Sequence, residues 1–242
     1  VKIKVINPNT TQSMTRLIER SLFTYAVEID LQVVSPSMGP ASIESHYDEA
    51  LSVPGLLAEI KSGLDWGADA FVVACFGDPG IEAAREISPV PVIGIAEGAF
   101  HVASLLGGKF SIVTTLARTI GRAEYLLHET GLGARCAGAH ACDIAVLDLE
   151  KPESNALETI IEASRAALAA DESHAVVLGC AGMAEYVDEV SAAIGAPVVD
   201  GVSAALLLAK TLVSLGLRPA KKGEQDFPPA KRYTGLLKDF AV

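Results

Sequence analysis

Two short apolar runs, each closing on Cys-x-Gly, constrain this chain more than any other feature. Asp69-Ala70-Phe71-Val72-Val73-Ala74-Cys75-Phe76-Gly77 is one, and His174-Ala175-Val176-Val177-Leu178-Gly179-Cys180-Ala181-Gly182 is the other. Aligned on the cysteines, Ala70/Ala175, Val72/Val177 and Gly77/Gly182 coincide. Both runs are rich in β-branched residues and lack polar alternation, the pattern of strands buried on both faces of a parallel sheet. Each cysteine then stands at the carboxyl end of its strand, where open α/β sheets bind ligands.

The rest of the chain repeats with the same spacing. Lys109-Phe110-Ser111-Ile112-Val113-Thr114-Thr115 lies 105 residues after Lys4-Val5-Ile6-Asn7-Pro8-Asn9-Thr10, and 105 residues also separate the cysteines. Pro197-Val198-Val199 echoes Pro91-Val92-Ile93, and Ala204–Leu215 echoes the helical pattern after Ala96. The expected architecture is α/β: two pseudo-symmetric flavodoxin-like lobes with parallel sheets and a cleft between them. Gly107-Gly108 marks the boundary. Lobe 1 spans 1–106, with part of the 200–242 segment packing back on it. Lobe 2 spans 107–215. Residues 216–242, with Pro219, Pro228 and Pro229, read as an extended tail.

Within the first half the pattern predicts strands at Ile3–Asn7, Val27–Val34 and Pro89–Ile95. It predicts helices from Thr11 or Ser13 to Ser21, from Tyr47 to Gly63, up to Ile87, and from Ala96 to Leu106. Ser35–Tyr47 reads as a loop over the sheet end.

Composition narrows the function classes. The 242 residues carry a net charge of −11, which disfavours nucleic acid and anionic membranes as partners. Four cysteines in a chain of this length are not a disulfide scaffold. No apolar run reaches the roughly 18 residues of a membrane span. The first residues enter a strand pattern directly, so the expectation is a cytoplasmic protein without a signal peptide.

Cys75 and Cys180 are the candidate catalytic residues. A cysteine can also be a small buried hydrophobe, but two at matching positions argue for a shared task. Backbone N–H groups after each strand are expected to hold the thiols below the roughly 8.5 of free cysteine. Two thiols facing one cavity suit inversion at a carbon: one removes a proton from one face while the other returns a proton to the opposite face. Identical groups can exchange roles, so such a reaction needs no cofactor and no metal. A thiolate base fits a carbon acid beside a carbonyl, whose enolate oxygen would take backbone donors near the cysteines.

Asn7, Asn9 and Thr10 end one strand, and Thr114 and Thr115 end its repeat. These are short neutral donors and acceptors suited to amide or imide groups, although helix capping and turns use the same residues. His46 falls in the long loop at the pocket mouth. Cys136 and Cys142, with His140 between them, have a spacing poor for zinc and read as ordinary residues. His174 reads as structural, and Glu82, Arg85 and Glu86 as a solvated helix face.

Ile6-Asn7-Pro8-Asn9-Thr10, Ala74-Cys75-Phe76-Gly77-Asp78-Pro79-Gly80 and Leu178-Gly179-Cys180-Ala181-Gly182-Met183 resemble the hydantoin racemase family, which includes allantoin racemases and sits within the Asp/Glu racemase superfamily. The resemblance covers roughly residues 2–215. It implies cofactor-independent racemisation at C5 of a 5-substituted hydantoin, with Cys75 and Cys180 as acid/base residues. It further implies that Asn9, Phe76, Gly77, Thr114, Thr115, Ala181 and Gly182 contact the ring, and that the protein is a homo-oligomer acting on a small molecule. Amino-acid racemases of the superfamily follow their cysteines with Asn-Thr and Thr-His. Phe76-Gly77 and Ala181-Gly182 here favour a neutral ring over a zwitterion. Arylmalonate decarboxylases resemble the second cysteine motif without the first, and maleate isomerases use one of two cysteines as a nucleophile. A two-lobed binding protein, or a redox switch joining Cys75 to Cys180, is the non-enzymatic alternative.

Overall fold

A computed structural model describes residues 1–241. In the first half, β1 (Lys2–Ile6), α1 (Gln12–Leu22), β2 (Asp30–Val34), α2 (His46–Trp66), β3 (Ala70–Val73), α3 (Ile81–Ile87) and β4 (Val92–Gly94) alternate, and α4 (Ile95–Ala103) closes the series. In the second, β5 (Phe110–Thr114), α5 (Ile120–Glu129), β6 (Cys136–Ala141), α6 (Ala156–Asp171), β7 (Ala175–Gly179), α7 (Val187–Ile194) and β8 (Val198–Asp200) follow the same plan, and α8 (Gly201–Ser214) ends it.

Each half forms a four-stranded parallel sheet, ordered β2-β1-β3-β4 and β6-β5-β7-β8. The chain reverses its direction of growth between β1 and β3, and again between β5 and β7. At such switch points the loops leaving neighbouring strands diverge and open a crevice. The two crevices are where Asn9 and Cys75, and Thr115 and Cys180, emerge. β3 and β7 are buried along their whole length, which is why both sequences are unbroken apolar runs.

The helices at the ends of the two halves are exchanged. α4 leaves β4 and packs on β7 and β8, while α8 leaves β8 and packs on β1, β3 and β4. The pair cross where Gly98 faces Ala205 and Gly201 faces the Ile95 carbonyl. One apolar core, from Ile3 and Val72 through Phe100 to Ile112 and Val177, therefore runs through both halves.

Several expectations need correction. The second strand begins at Asp30 rather than Val27, because Val27 is exposed and Glu28 takes a left-handed φ of 63°. β4 is confined to Val92–Gly94: Pro89 and Pro91 have no N–H for a ladder, and Ile95 already starts α4. α2 runs from His46 to Trp66 straight through Pro54. The repeat is also not uniform. Ile3 pairs with Ala70 while Phe110 pairs with Ala175, so Thr114 corresponds to Asn7 and not to Asn9. Nor is the face bearing Arg85 solvated. The Arg85 guanidinium donates to the Val92 carbonyl and pairs with Glu97, tying α3 to β4 and α4.

The tail from 216 onward returns to the first half. Lys221 Nζ donates to the Glu86 carbonyl at 3.0 Å, at the end of α3, and Lys61 Nζ reaches the carbonyls of Asp239 and Ala241. No helix of the described residues is long and apolar enough to cross a membrane.

Candidate active site

Asn7 sets the first wall. It is fully buried just beyond β1, and its amide donates to Asn9 Oδ1 at 3.0 Å and Thr15 Oγ1 at 3.1 Å. Asn9 Oδ1 also accepts from the Thr11 N–H at 2.9 Å, so its oxygen is consumed within the protein. Among the described residues its Nδ2 has only the weak acceptor Met14 Sδ, at 3.3 Å. Asn9 can thus offer donors, but no acceptor, to a molecule in the crevice.

Thr114 and Thr115 form the facing wall. Thr114 Oγ1 donates to the Gly179 carbonyl at 3.0 Å and lies 3.2 Å from Thr119 Oγ1. The Thr115 hydroxyl has no partner among the described residues and is free to meet a ligand.

Cys75 and Cys180 line the same cleft, together with Asn9, Phe76, Gly77, Thr114, Thr115 and Ala181. Its volume, about 90 Å³, suits one small ring rather than a drug-sized ligand, which needs roughly 300–1,000 Å³. The Phe76 ring is held edge-on to Phe100, with centroids 5.5 Å apart. Gly182 is not part of the lining. Its N–H points at the Cys180 sulfur, and a side chain there would run into Leu149. Thr10 is turned away and donates to the Pro40 carbonyl.

All four cysteines are free thiols. The expected depression of the two cleft thiols is overturned. Burial pushes Cys75 up to about 12, against the opposing bond from the Gly77 N–H, and Cys180, Asp78 and Glu49 add to the rise. Burial likewise pushes Cys180 up to about 12, against the Gly182 N–H. Desolvating a thiolate costs more than one N–H returns. Of the backbone N–H groups that follow each cysteine, those of Gly77 and Gly182 bond to sulfur, and those of Phe76 and Ala181 have no backbone acceptor among the described residues.

His46, expected at the cleft mouth, lines the site. Glu44, Glu49, Arg118 and Arg122, which no sequence motif marks as functional, also line it. Arg122 Nε donates to the Gly77 carbonyl at 2.8 Å and lies 3.7 Å from Glu49, while Glu44 accepts from the Val146 N–H at 2.8 Å. Both contacts bridge the halves. Arg118 and Arg122 flank the start of α5, where the helix dipole disfavours cations. That misfit was the available signal. Cys136, His140 and Cys142 stay apart: His140 bonds to Asp171 at 2.7 Å, Cys136 to the Gly138 carbonyl, and Cys142 to the Thr115 carbonyl. No group of three His, Cys, Asp or Glu among the described residues is arranged to hold a metal.

A sequence profile described as Asp/Glu/Hydantoin racemase matches residues 3–209. The chain is 45% identical over 242 residues to a hydantoin racemase of Pseudomonas sp. (strain NS671), covering 99% of this chain and 97% of that one. It is 41% identical over 234 residues to a hydantoin racemase of Rhizobium meliloti, covering 96% and 97%. Its structure superposes on that of an allantoin racemase from Klebsiella pneumoniae with a TM-score of 0.97 and 43% identity, covering 100% of this chain and 99% of the other.

Proposed function

The chain belongs to the Asp/Glu/hydantoin racemase family and is an isomerase; on that footing we propose that it inverts C5 of a 5-substituted hydantoin, with Cys75 and Cys180 as the acid/base pair. The observation that carries this reading is the convergence of both sulfurs on one small cleft with a donor-only amide, Asn9, beside them.

In the proposed cycle one sulfur, as thiolate, takes the C5 proton. The electron pair moves onto the neighbouring ring carbonyl and forms an enolate. The other sulfur, as thiol, returns a proton to C5 from the opposite face. One proton enters, one leaves, and the pair ends with its protonation states exchanged. Asn9 Nδ2 and the N–H groups of Phe76 and Ala181 are the donors available to the enolate oxygen. The desolvated environment raises both sulfurs to about 12. It makes a thiolate there a stronger base than a free one, as a weakly acidic carbon requires. The charge of Cys180 adds to the rise at Cys75, while Cys142 and Glu44 add to the rise at Cys180. The cleft walls are uncharged where Phe76, Thr114, Thr115 and Ala181 lie, which suits a neutral ring. No bound cofactor enters this scheme. The halves divide at the link between α4 and β5, near residues 106–107, and the acting form is proposed to be a homo-oligomer.

The test is the decay of circular dichroism for a panel of optically pure 5-substituted hydantoins, allantoin included, with purified protein. Decay to zero from either enantiomer of at least one member, unaffected by a chelator, is expected. Full retention of optical rotation across the panel at enzyme concentrations near micromolar would remove the proposal.

A further inference from the structure

Asp78 is buried in the turn that follows Cys75, yet it does not line the cleft. It takes a left-handed φ of 43°, and its N–H donates to the Cys75 carbonyl at 2.9 Å. Its carboxylate reaches across to the start of α4 and accepts from the N–H groups of Ala96 and Glu97, each at 3.1 Å. The residue that should cap α4 is Gly94, which has no side chain to do so. A Cβ at position 94 would lie 2.2–2.4 Å from the Asp78 carboxyl group, so the glycine is what admits this carboxylate. The second half solves the same problem locally: Asp200 caps its own helix by accepting from Val202 and Ser203 N–H. Only the Cys75 side therefore spends a side chain of its cysteine turn on a helix, and that helix is α4, which packs against the sheet carrying Cys180.

We propose that Asp78 is a positioning residue that fixes the Cys75 turn to α4, and through α4 to the opposite half, so that the two sulfurs are held in mutual register. The inference rests on the acid/base reading of Cys75. The charged and titratable groups facing Asp78 are Glu97 at the start of α4, Arg85 on α3, and Cys75 in its own turn. Arg85 is shared with Glu97 and Glu82, so it does not belong to Asp78 alone. Burial and Glu97 push the Asp78 carboxyl up to about 7.

Two measurements on the intact 242-residue chain test this. The first needs no substrate. N-ethylmaleimide is applied at a series of pH values, and labelling of Cys75 and Cys180 is read separately by peptide mass spectrometry, with Cys180 as the internal control. As pH rises through about 7, Asp78 becomes an anion beside Cys75 and disfavours the thiolate there. The Cys75-to-Cys180 labelling ratio in the wild type should therefore fall across that range. In Asp78→Asn the ratio should stay flat and, at pH 8, exceed the wild-type ratio about threefold or more. Asparagine tolerates the left-handed turn and keeps one of the two oxygens that accept from α4, so this variant should fold with the tie to α4 weakened, and the unmodified protein's pH series stands even if it does not.

The second measurement is racemisation, where Asp78→Asn should lower kcat about tenfold or more with KM little changed. A labelling ratio that ignores both pH and the substitution, or an unchanged kcat, would overturn the proposal. If labelling behaves as expected but no hydantoin racemises, it is the function that fails and not the role of Asp78.

Discussion

Cys75→Ser and Cys180→Ser are each expected to reduce racemisation by about 10³-fold or more, in both directions, while leaving the fold intact. Each direction uses both sulfurs, one to take a proton and one to give it, so neither can be spared. General acid/base groups contribute roughly 10²–10⁴-fold each, and a serine hydroxyl is a far weaker acid than even a thiol raised to about 12. Oxygen for sulfur is a small change in volume, and the Gly77 and Gly182 N–H donors can serve either atom. Melting temperatures should therefore stay near that of the parent. Full turnover in either variant would end the two-base account.

Gly201→Ala is expected to destabilise the protein at the joint between its two halves. A Cβ at this position would lie 2.3 Å from the Ile95 carbonyl oxygen and 2.9 Å from Ile95 Cβ, so backbone must move. Overpacking of this kind costs about 1–3 kcal/mol, which for a chain of this size lowers Tm by about 2–12 °C. The site is the crossing of the exchanged helices, so the strain falls on the joint that sets one half against the other. Activity should drop further than the loss of folded protein explains. Gly121→Ala is the control: it sits in α5 with nothing within 4 Å of the added carbon. There alanine should be neutral or slightly stabilising. Equal melting temperatures for the two variants in calorimetry would contradict the packing described at the crossing.

The parts of this molecule that could be read from the sequence are those set by local pattern. β3 and β7 announced themselves because strands covered on both faces must be apolar throughout. Cys75 and Cys180 followed because a parallel strand delivers its last side chains to the crevice. Part of the 200–242 segment was expected on lobe 1, but the matching crossing of α4 to the other sheet left no local trace. Either helix reads the same whichever sheet it covers, and only the close approach of Gly98 and Gly201 records the choice. The offset between β1 and β5 was misjudged because identities were sparse and only strand pairing fixes register.

The thiols illustrate the same limit in energetic terms. The N–H groups of Gly77 and Gly182, inferred from the turn glycines, do meet the sulfurs. Burial outweighs them, and burial is a property of everything packed around the site. Arg122 and Glu49 escaped notice for a related reason: their role is to join a helix of one half to a loop of the other.

The most direct test of the two-sulfur mechanism follows the C5 hydrogen. One enantiomer of a substrate hydantoin is turned over by the wild-type protein in deuterated water, and product and recovered substrate are separated early and examined by mass spectrometry and proton NMR. If one sulfur removes the proton and a different, solvent-exchanged sulfur delivers its replacement, the newly formed enantiomer carries deuterium at C5 from the first turnovers while recovered substrate stays largely unlabelled. Product that retains its original hydrogen, or label that appears equally in substrate and product from the outset, would mean that a single group carries the proton, and the pairing of Cys75 with Cys180 would be wrong.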